Sequence, residues 1–255
     1  MSGASGIDLH TRTALVIGAS RGLGREAALA VARCGADVVC AARTTSAVEQ
    51  VAEEITALGR RALALTVDAA DEHALTACVN DAAAFAPIDV LVYAAGLQHA
   101  GAALKTATVD WERLLKVNLT GGFIAARSAA QHMKIRGGRM IFFSTSFVGS
   151  VLPMTVAYGA SKGGLQQMVH TLALEWARYN ITVNAIAPGY FETDMPKAVL
   201  DDPDLRSRVL ARIPLRRFGQ PAEIGPLVAY LASDASAFMT GAVLRIDGGQ
   251  ALNVS

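Results

Sequence analysis

The chain has 255 residues, 52% of them hydrophobic, and its 23 Lys and Arg nearly balance its 22 Asp and Glu, for a formal net charge of +1. That length and apolar fraction suffice for one large core, and the balanced charge removes the general pull toward nucleic acid or an anionic membrane, leaving a small molecule as the natural partner. Cys34, Cys40 and Cys78 are widely spaced, with no C-x-x-C pair and no histidine at metal-ligand spacing, so neither a disulfide framework nor a metal site is expected and the chain reads as reduced and cytoplasmic.

The opening residues, MSGASGIDLHTR, lack the charged start and apolar stretch of a signal peptide, and no run approaches the ~18 apolar residues of a membrane span. From Thr13 the chain alternates. TALVIG (13–18) is followed by the glycine-rich GASRGLG (18–24) and a helical stretch that Gly35 closes. ADVVCAA (36–42) leads to a second helical stretch closed by Gly59, both glycines standing where a helix ends in a left-handed residue. ALALTVD (62–68), DVLVYAAG (89–96), RMIFFS (139–144), ITVNAIAP (181–188) and AVLRID (242–247) continue the series of short, β-branched apolar runs, and the segments between the earlier runs have helical periodicity. This βαβ pattern predicts a parallel sheet covered on both faces: a three-layer, doubly wound α/β fold of Rossmann type, with residues 1–255 forming one dinucleotide-binding domain. The long irregular segment 189–221, rich in proline and charge, is expected to be a substrate lid with some helix of its own, and Pro221 to begin a further helix.

Two stretches carry chemistry. In GASRGLG, Gly18, Gly22 and Gly24 lie between a strand and an amphipathic helix, where bare backbone amides and a helix N-terminus can meet a phosphate. The missing G-K-[ST] ending argues against a P-loop NTPase, and the spacing differs from G-x-G-x-x-G. In VAYGASKGGL (156–165), Tyr158 and Lys162 are four residues apart, on one face of a helix. A free tyrosine, with a pKa of about 10, is a poor acid-base group near neutrality; an adjacent ammonium favours its phenolate.

G-x-x-x-G-x-G after the first strand, YAAG (93–96), Asn118 in KVNLTGG, the hydroxyl cluster STS (144–146), Y-G-A-S-K (158–162) and PGYFET (188–193) together resemble the short-chain dehydrogenase/reductase family, from about Thr13 to Gly249. The resemblance implies an oxidoreductase that interconverts a ketone and a secondary alcohol by hydride transfer, with Tyr158 as general acid and base, Lys162 lowering its pKa and holding the nicotinamide ribose, and Asn118 holding a water that links Lys162 to solvent. It further implies that Ser20, Leu23, Ala95 and Gly96 join the cofactor cradle, that Asp68 accepts from the adenine, that Pro188, Gly189 and Thr193 receive the carboxamide, and that the enzyme is a homotetramer. A hydroxyl at the end of the fifth strand should stabilise the substrate oxygen. The family's S-x-x-G pattern selects Ser146; counting back from Tyr158 without a gap selects Thr145, and Ser146 is preferred. Ala94 replaces the family's usual asparagine, which puts local stability in doubt.

The end of the second strand reads Ala41-Ala42-Arg43, without the carboxylate that would bind ribose hydroxyls and repel a 2′-phosphate. Arg43 and Arg21 can converge on such a phosphate, so NADP(H) is favoured over NAD(H). The general pattern is similar to 3-oxoacyl-carrier-protein reductases, and AGLQHAG to gluconate and other sugar-acid dehydrogenases. Substrate candidates are therefore a 3-oxoacyl thioester or a keto-sugar acid, met by Gln98, Tyr190, Phe191 and Met195, with His99 read as a loop residue. Arg136, Arg139, Arg216 and Arg217 are candidates for a basic patch that would receive an acidic carrier protein. The alternative is a silent NADP(H)-binding sensor of the same fold, which would have no need of the Tyr158 and Lys162 relay.

Overall fold

The computed structural model describes residues 7–148, 153–193 and 201–252. Seven strands, β1 (Thr13–Ile17), β2 (Asp37–Ala42), β3 (Ala62–Thr66), β4 (Val90–Tyr93), β5 (Gly138–Phe143), β6 (Ile181–Pro188) and β7 (Val243–Ile246), form one sheet in the order β3-β2-β1-β4-β5-β6-β7. Every pairing is parallel; Leu15 of β1, for example, lies between Val39 of β2 and Leu91 of β4. Each strand coincides with the apolar run that predicts it, β5 starting one residue earlier at Gly138. The order reverses between β1 and β4, which opens a crevice at the C-terminal ends of those strands.

The central strands are buried on both sides, and their alternate residues feed two separate cores. Leu15, Ile17, Leu91, Tyr93, Met140 and Phe142 pack with α3 (Glu72–Phe85), α5 (Gly121–Met133) and α6 (Val156–Trp176). Ala14, Val16, Val90, Val92, Ile141 and Phe143 pack with α1 (Gly22–Arg33), α2 (Thr45–Ala57) and the C-terminal helix at Gly225–Ala232. The protein is thus a single α/β domain of three layers, as the pattern of runs requires. Gly35 (φ +103°) and Gly59 (φ +79°) close α1 and α2 in the left-handed conformation expected of them.

Three local features bear on the crevice. Helix α4 (Thr108–Leu115) joins α5 through a π-helical turn, Lys116–Thr120, that contains Asn118. In the long segment after β6, the described part includes α7 (Pro203–Arg212), whose N-terminus is capped by Asp202 accepting from the amides of Asp204 and Leu205, both at 3.0 Å. Met195 lies outside the described residues. Pro221 does start a helical segment: a 3-10 turn, Pro221–Ile224, runs directly into α8 (Gly225–Ala232), and the Glu223 carboxylate that closes the turn's capping box also takes a two-point ion pair from Arg217 at 2.6 and 2.7 Å. Among the described residues, no helix is long and apolar enough to cross a membrane.

Candidate active site

A cavity of about 970 Å³ runs along the C-terminal ends of β1 to β6. Gly18, Ser20, Arg21, Gly22, Leu23 and Gly24 line it after β1, Arg43 after β2, Asp68 after β3, Ala95 and Gly96 after β4, and Pro188, Gly189 and Thr193 after β6; Tyr158 and Lys162 complete it from α6. Of the predicted cofactor and catalytic residues, Asn118 and Ser146 do not line the cavity.

The glycine turn is required by contact as well as conformation. A Cβ on Gly18 would stand 2.5 Å from the amide nitrogen of Ala95, and one on Gly24 would stand 2.1 Å from the carbonyl oxygen of Gly18, so any larger residue would force the turn and β4 apart. Helix α1 starts at Gly22 with no capping hydrogen bond from the Arg21 side chain and no acidic residue in its first turn. Its leading amides therefore face the cavity end without a carboxylate competing for them, an arrangement suited to a pyrophosphate. Asp68 turns one carboxylate oxygen to the amide of Ala70 at 2.9 Å, which fixes the side chain beside the cavity.

At the other end, Lys162 is buried, and its ammonium donates to the Phe143 carbonyl at 2.7 Å while standing 6.0 Å from the centre of the Tyr158 ring. Burial pulls the lysine pKa down to about 8. Tyr158 is reached through the cavity mouth but otherwise enclosed by protein, and this burial pushes its pKa up to about 12, opposed by a side-chain hydrogen bond with Thr145. Burial outweighs any lowering by the nearby Lys162 ammonium, so the protein alone holds the tyrosine pKa above its ordinary value. At neutral pH the phenol is protonated.

Residues 18–251 match the family model described as enoyl-(acyl carrier protein) reductase. The chain belongs to the short-chain dehydrogenase/reductase family. It is 37% identical over 251 residues to the 2-dehydro-3-deoxy-D-gluconate 5-dehydrogenase of Escherichia coli strain K12, covering 96% of this chain and 97% of that protein. It is 37% identical over 243 residues to the 3-oxoacyl-[acyl-carrier-protein] reductase FabG of Staphylococcus aureus strain Mu50, covering 94% and 98%. Its fold superposes with a TM-score of 0.92 on the gluconate 5-dehydrogenase of Burkholderia cenocepacia J2315 solved in complex with NADP and tartrate, at 33% identity and 96% coverage of both chains. The chain is accordingly an NAD(P)-dependent dehydrogenase acting on CH-OH groups.

Within this short-chain dehydrogenase, the strand-end hydroxyl beside Tyr158 is Thr145, and the preference for Ser146 is corrected. Backbone pairing with β6 continues past Phe143, through Ser144 N–H to Ile186 at 2.8 Å and Ser146 N–H to Pro188 at 2.9 Å. Side-chain alternation therefore persists and separates Thr145 from both neighbours. Ser144 receives a hydrogen bond from Gln166 of α6 at 2.9 Å, whereas the Ser146 hydroxyl is buried without a partner among the described residues and does not line the cavity. Gly149, which anchored the choice of Ser146, lies outside the described residues.

Asn118 stands just behind the cavity lining, across Gly96 from Lys162. Its side chain is fully buried and committed to protein: Oδ1 accepts from the Leu97 amide at 2.7 Å, while Nδ2 donates to the Leu97 carbonyl at 2.9 Å and to Ser161 Oγ at 3.0 Å. Ser161 in turn donates to the Tyr158 carbonyl at 2.8 Å. The asparagine side chain is thus a brace between the β4 loop and α6, and one lone pair of Oδ1 stays open to the expected water. Ser161, inside Y-G-A-S-K, is the partner that sequence reasoning missed. Beside Ala94, the buried Tyr93 hydroxyl donates to the Val117 carbonyl at 2.6 Å.

The basic patch does not form. Arg139 is the second residue of β5, at the end of the sheet opposite the cavity, where it is buried against Asp234 at 3.0 Å; Arg136 is likewise there, near Asp89 at 3.8 Å. Arg217 is held by Glu223, and Arg216 donates to the Ala211 carbonyl at 2.6 Å. Gln98, Tyr190 and Phe191 line the cavity and His99 does not, in keeping with its reading as a loop residue.

Proposed function

We propose that this short-chain dehydrogenase is an NADP(H)-dependent carbonyl reductase, reversible as an alcohol dehydrogenase, in which Tyr158 carries the proton. The observation that carries this reading is the meeting of Tyr158, Thr145 and Lys162 at one end of a cavity whose other end is the glycine turn. The residues present suit a dinucleotide: Gly18 and Gly24 leave a cradle that a Cβ would fill, and Lys162 keeps two N–H groups for ribose hydroxyls after donating to Phe143. When bound, the reduced nicotinamide supplies a hydride to the carbonyl carbon. As the carbonyl π pair moves onto oxygen, Tyr158 gives that oxygen its proton, which is why a phenol kept protonated at neutral pH suits the reductive direction. Thr145 hydrogen-bonds the phenolate that remains, and Lys162, still charged below its pKa of about 8, stabilises the same negative charge until solvent returns the proton.

Preference for NADP(H) is supported by Arg21 and Arg43, which line the cavity where β2 ends without a carboxylate. On this reading the relatives suggest two substrate classes, 3-oxoacyl thioesters and keto-sugar acids; residues 189–221 serve as the lid, Tyr190 and Thr193 being its cavity-facing members, and the enzyme works as a cytoplasmic homotetramer. The test is Tyr158→Phe. NADPH binding, followed by cofactor fluorescence, should change by no more than about threefold, while ketone-dependent NADPH oxidation falls by roughly 10²- to 10⁴-fold, the usual range for loss of a general acid. Undiminished turnover would remove Tyr158 from the mechanism.

A further inference from the structure

We infer that the substrate is an uncharged ketone or secondary alcohol on an apolar chain or ring, and not a keto-sugar acid; this rests on the carbonyl reductase reading above. The cavity divides at the strand-order reversal. Over β1 to β3, and along Ala95, Gly96, Pro188, Gly189 and Thr193, it is the dinucleotide's, and the remainder over β4 to β6, beyond Tyr158, is open to substrate. That second half is walled by Leu97, Phe147, Pro153, Met154, Val156 and Tyr190. Phe147 and Tyr190 meet edge to face at 5.5 Å, and Tyr190 is backed by Phe218 at 6.0 Å, so the wall is a packed aromatic surface. Met154 (58% exposed) and Val156 (46%) present further apolar area at the mouth, which a ligand with an apolar body would cover.

Polar capacity in this half is small. Beyond Ser144, Thr145 and Tyr158 at the reacting centre, Gln98, Thr155 and the Tyr190 hydroxyl are its polar side-chain groups among the described residues, with Thr193 assigned to the nicotinamide carboxamide. Among the described residues, the cationic ones lining the cavity are Arg21 and Arg43, both over the dinucleotide half, and Lys162, which donates to Phe143 and whose two other N–H groups are assigned to the ribose. Arg212 acts electrostatically on Tyr190 but does not line the cavity. A keto-sugar acid would bring a carboxylate and several hydroxyls into a space where, among the described residues, Lys162 is the nearest cation and three polar side-chain groups lie beyond the reacting centre, so most of its desolvation would go uncompensated. A ketone on an apolar body needs only the carbonyl contacts already described. Its reduction uses one hydride from the nicotinamide at carbon and one proton through Tyr158 at oxygen, the carbonyl π pair forming the new O–H bond.

The test compares 5-keto-D-gluconate, a 3-oxoacyl thioester and a 4-alkylcyclohexanone, by NADPH oxidation with the wild-type enzyme and by calorimetric binding to the Tyr158→Phe protein saturated with NADPH. At least one neutral ketone should show kcat/KM 100-fold or more above the keto acid and bind at least tenfold more tightly; which of the two does so separates an acyl chain from a ring. Met154→Arg, which adds a cation at the mouth, should narrow the gap at least tenfold. Equal or better turnover and binding of the keto acid would overturn the inference, and its loss in Arg212→Ala would identify the cation responsible. Failure of both neutral ketones to bind would also overturn it. Selective binding of a neutral ketone without wild-type turnover would uphold the substrate class and instead sink the reductase reading.

Discussion

Thr145 and Ser146 are adjacent, both buried and both hydroxyl-bearing, so exchanging their side chains separately isolates what position alone contributes. Thr145→Val keeps the shape of the side chain and deletes the donor that opposes the rise in the Tyr158 pKa. A preorganised donor aimed at developing negative charge is commonly worth about 3 to 4 kcal/mol, so kcat/KM should fall roughly 10²- to 10³-fold, with NADPH affinity changed by less than about threefold. Thr145→Ser retains the hydroxyl and should keep activity within about tenfold of wild type. Ser146→Ala removes a hydroxyl buried without a partner among the described residues. An unpartnered buried hydroxyl costs about 1 to 3 kcal/mol, while deleting its oxygen sacrifices some packing, so stability should be unchanged or raised by about 1 kcal/mol and kcat/KM should stay within about twofold. Steady-state NADPH oxidation reads the first set and urea unfolding the second. If Ser146→Ala loses 10²-fold in kcat/KM while Thr145→Val stays near wild type, the assignment is wrong and Ser146 faces the reacting centre during turnover.

Two further outcomes follow from charge. Arg43→Ala should weaken NADPH by about 10- to 100-fold, the loss expected of one hydrogen bond to a charged phosphate, and leave NADH within about threefold; equal losses measured by cofactor titration would mean that the 2′-phosphate is held elsewhere. Lys162 has its pKa lowered to about 8 in the fold, against about 10.4 in an unfolded chain, so between these values the unfolded state binds more protons and stability rises with pH. Tyr158 works the other way only above about pH 10, where the fold, with its phenol pushed up to about 12, holds the extra proton. The buried thiols of Cys40 and Cys78, pushed up to about 12, cost stability as pH rises past about 9, so the lysine's part is read as a difference: in urea unfolding the wild type should gain relative to Lys162→Met from pH 8 to 10, and a difference that stays constant with pH would refute the lowered lysine pKa.

The half of the site that holds the cofactor was legible because it is built from backbone. Gly18 and Gly24 are there since a Cβ would collide at 2.5 and 2.1 Å, so the constraint is written directly as residue type, and the four-residue spacing of Tyr158 and Lys162 is written in helix geometry. Side-chain commitments were less visible. Nothing local says that Asn118 will sit in a π-helical turn and spend its amide on Leu97 and Ser161, because that turn depends on which loop and helix arrive beside it. Strand alternation separates Thr145 from Ser144 and Ser146, but which side faces the cavity depends on α6, from which Gln166 reaches Ser144.

The same distinction explains why fold and cofactor class are readable at about 37% identity to relatives with different substrates. A pyrophosphate asks for bare amides and a close approach, and few residues besides glycine satisfy it. An apolar substrate asks only for surface, which Leu97, Met154 and Val156 provide and which many other residues would provide as well. Its strongest signature is relational: Phe147, Tyr190 and Phe218 come from separate loops and become a wall only when β5 and β6 lie side by side. Substitutions that move a single cation into or out of that wall can therefore redirect the substrate while leaving the glycine turn, Tyr158 and Lys162 untouched.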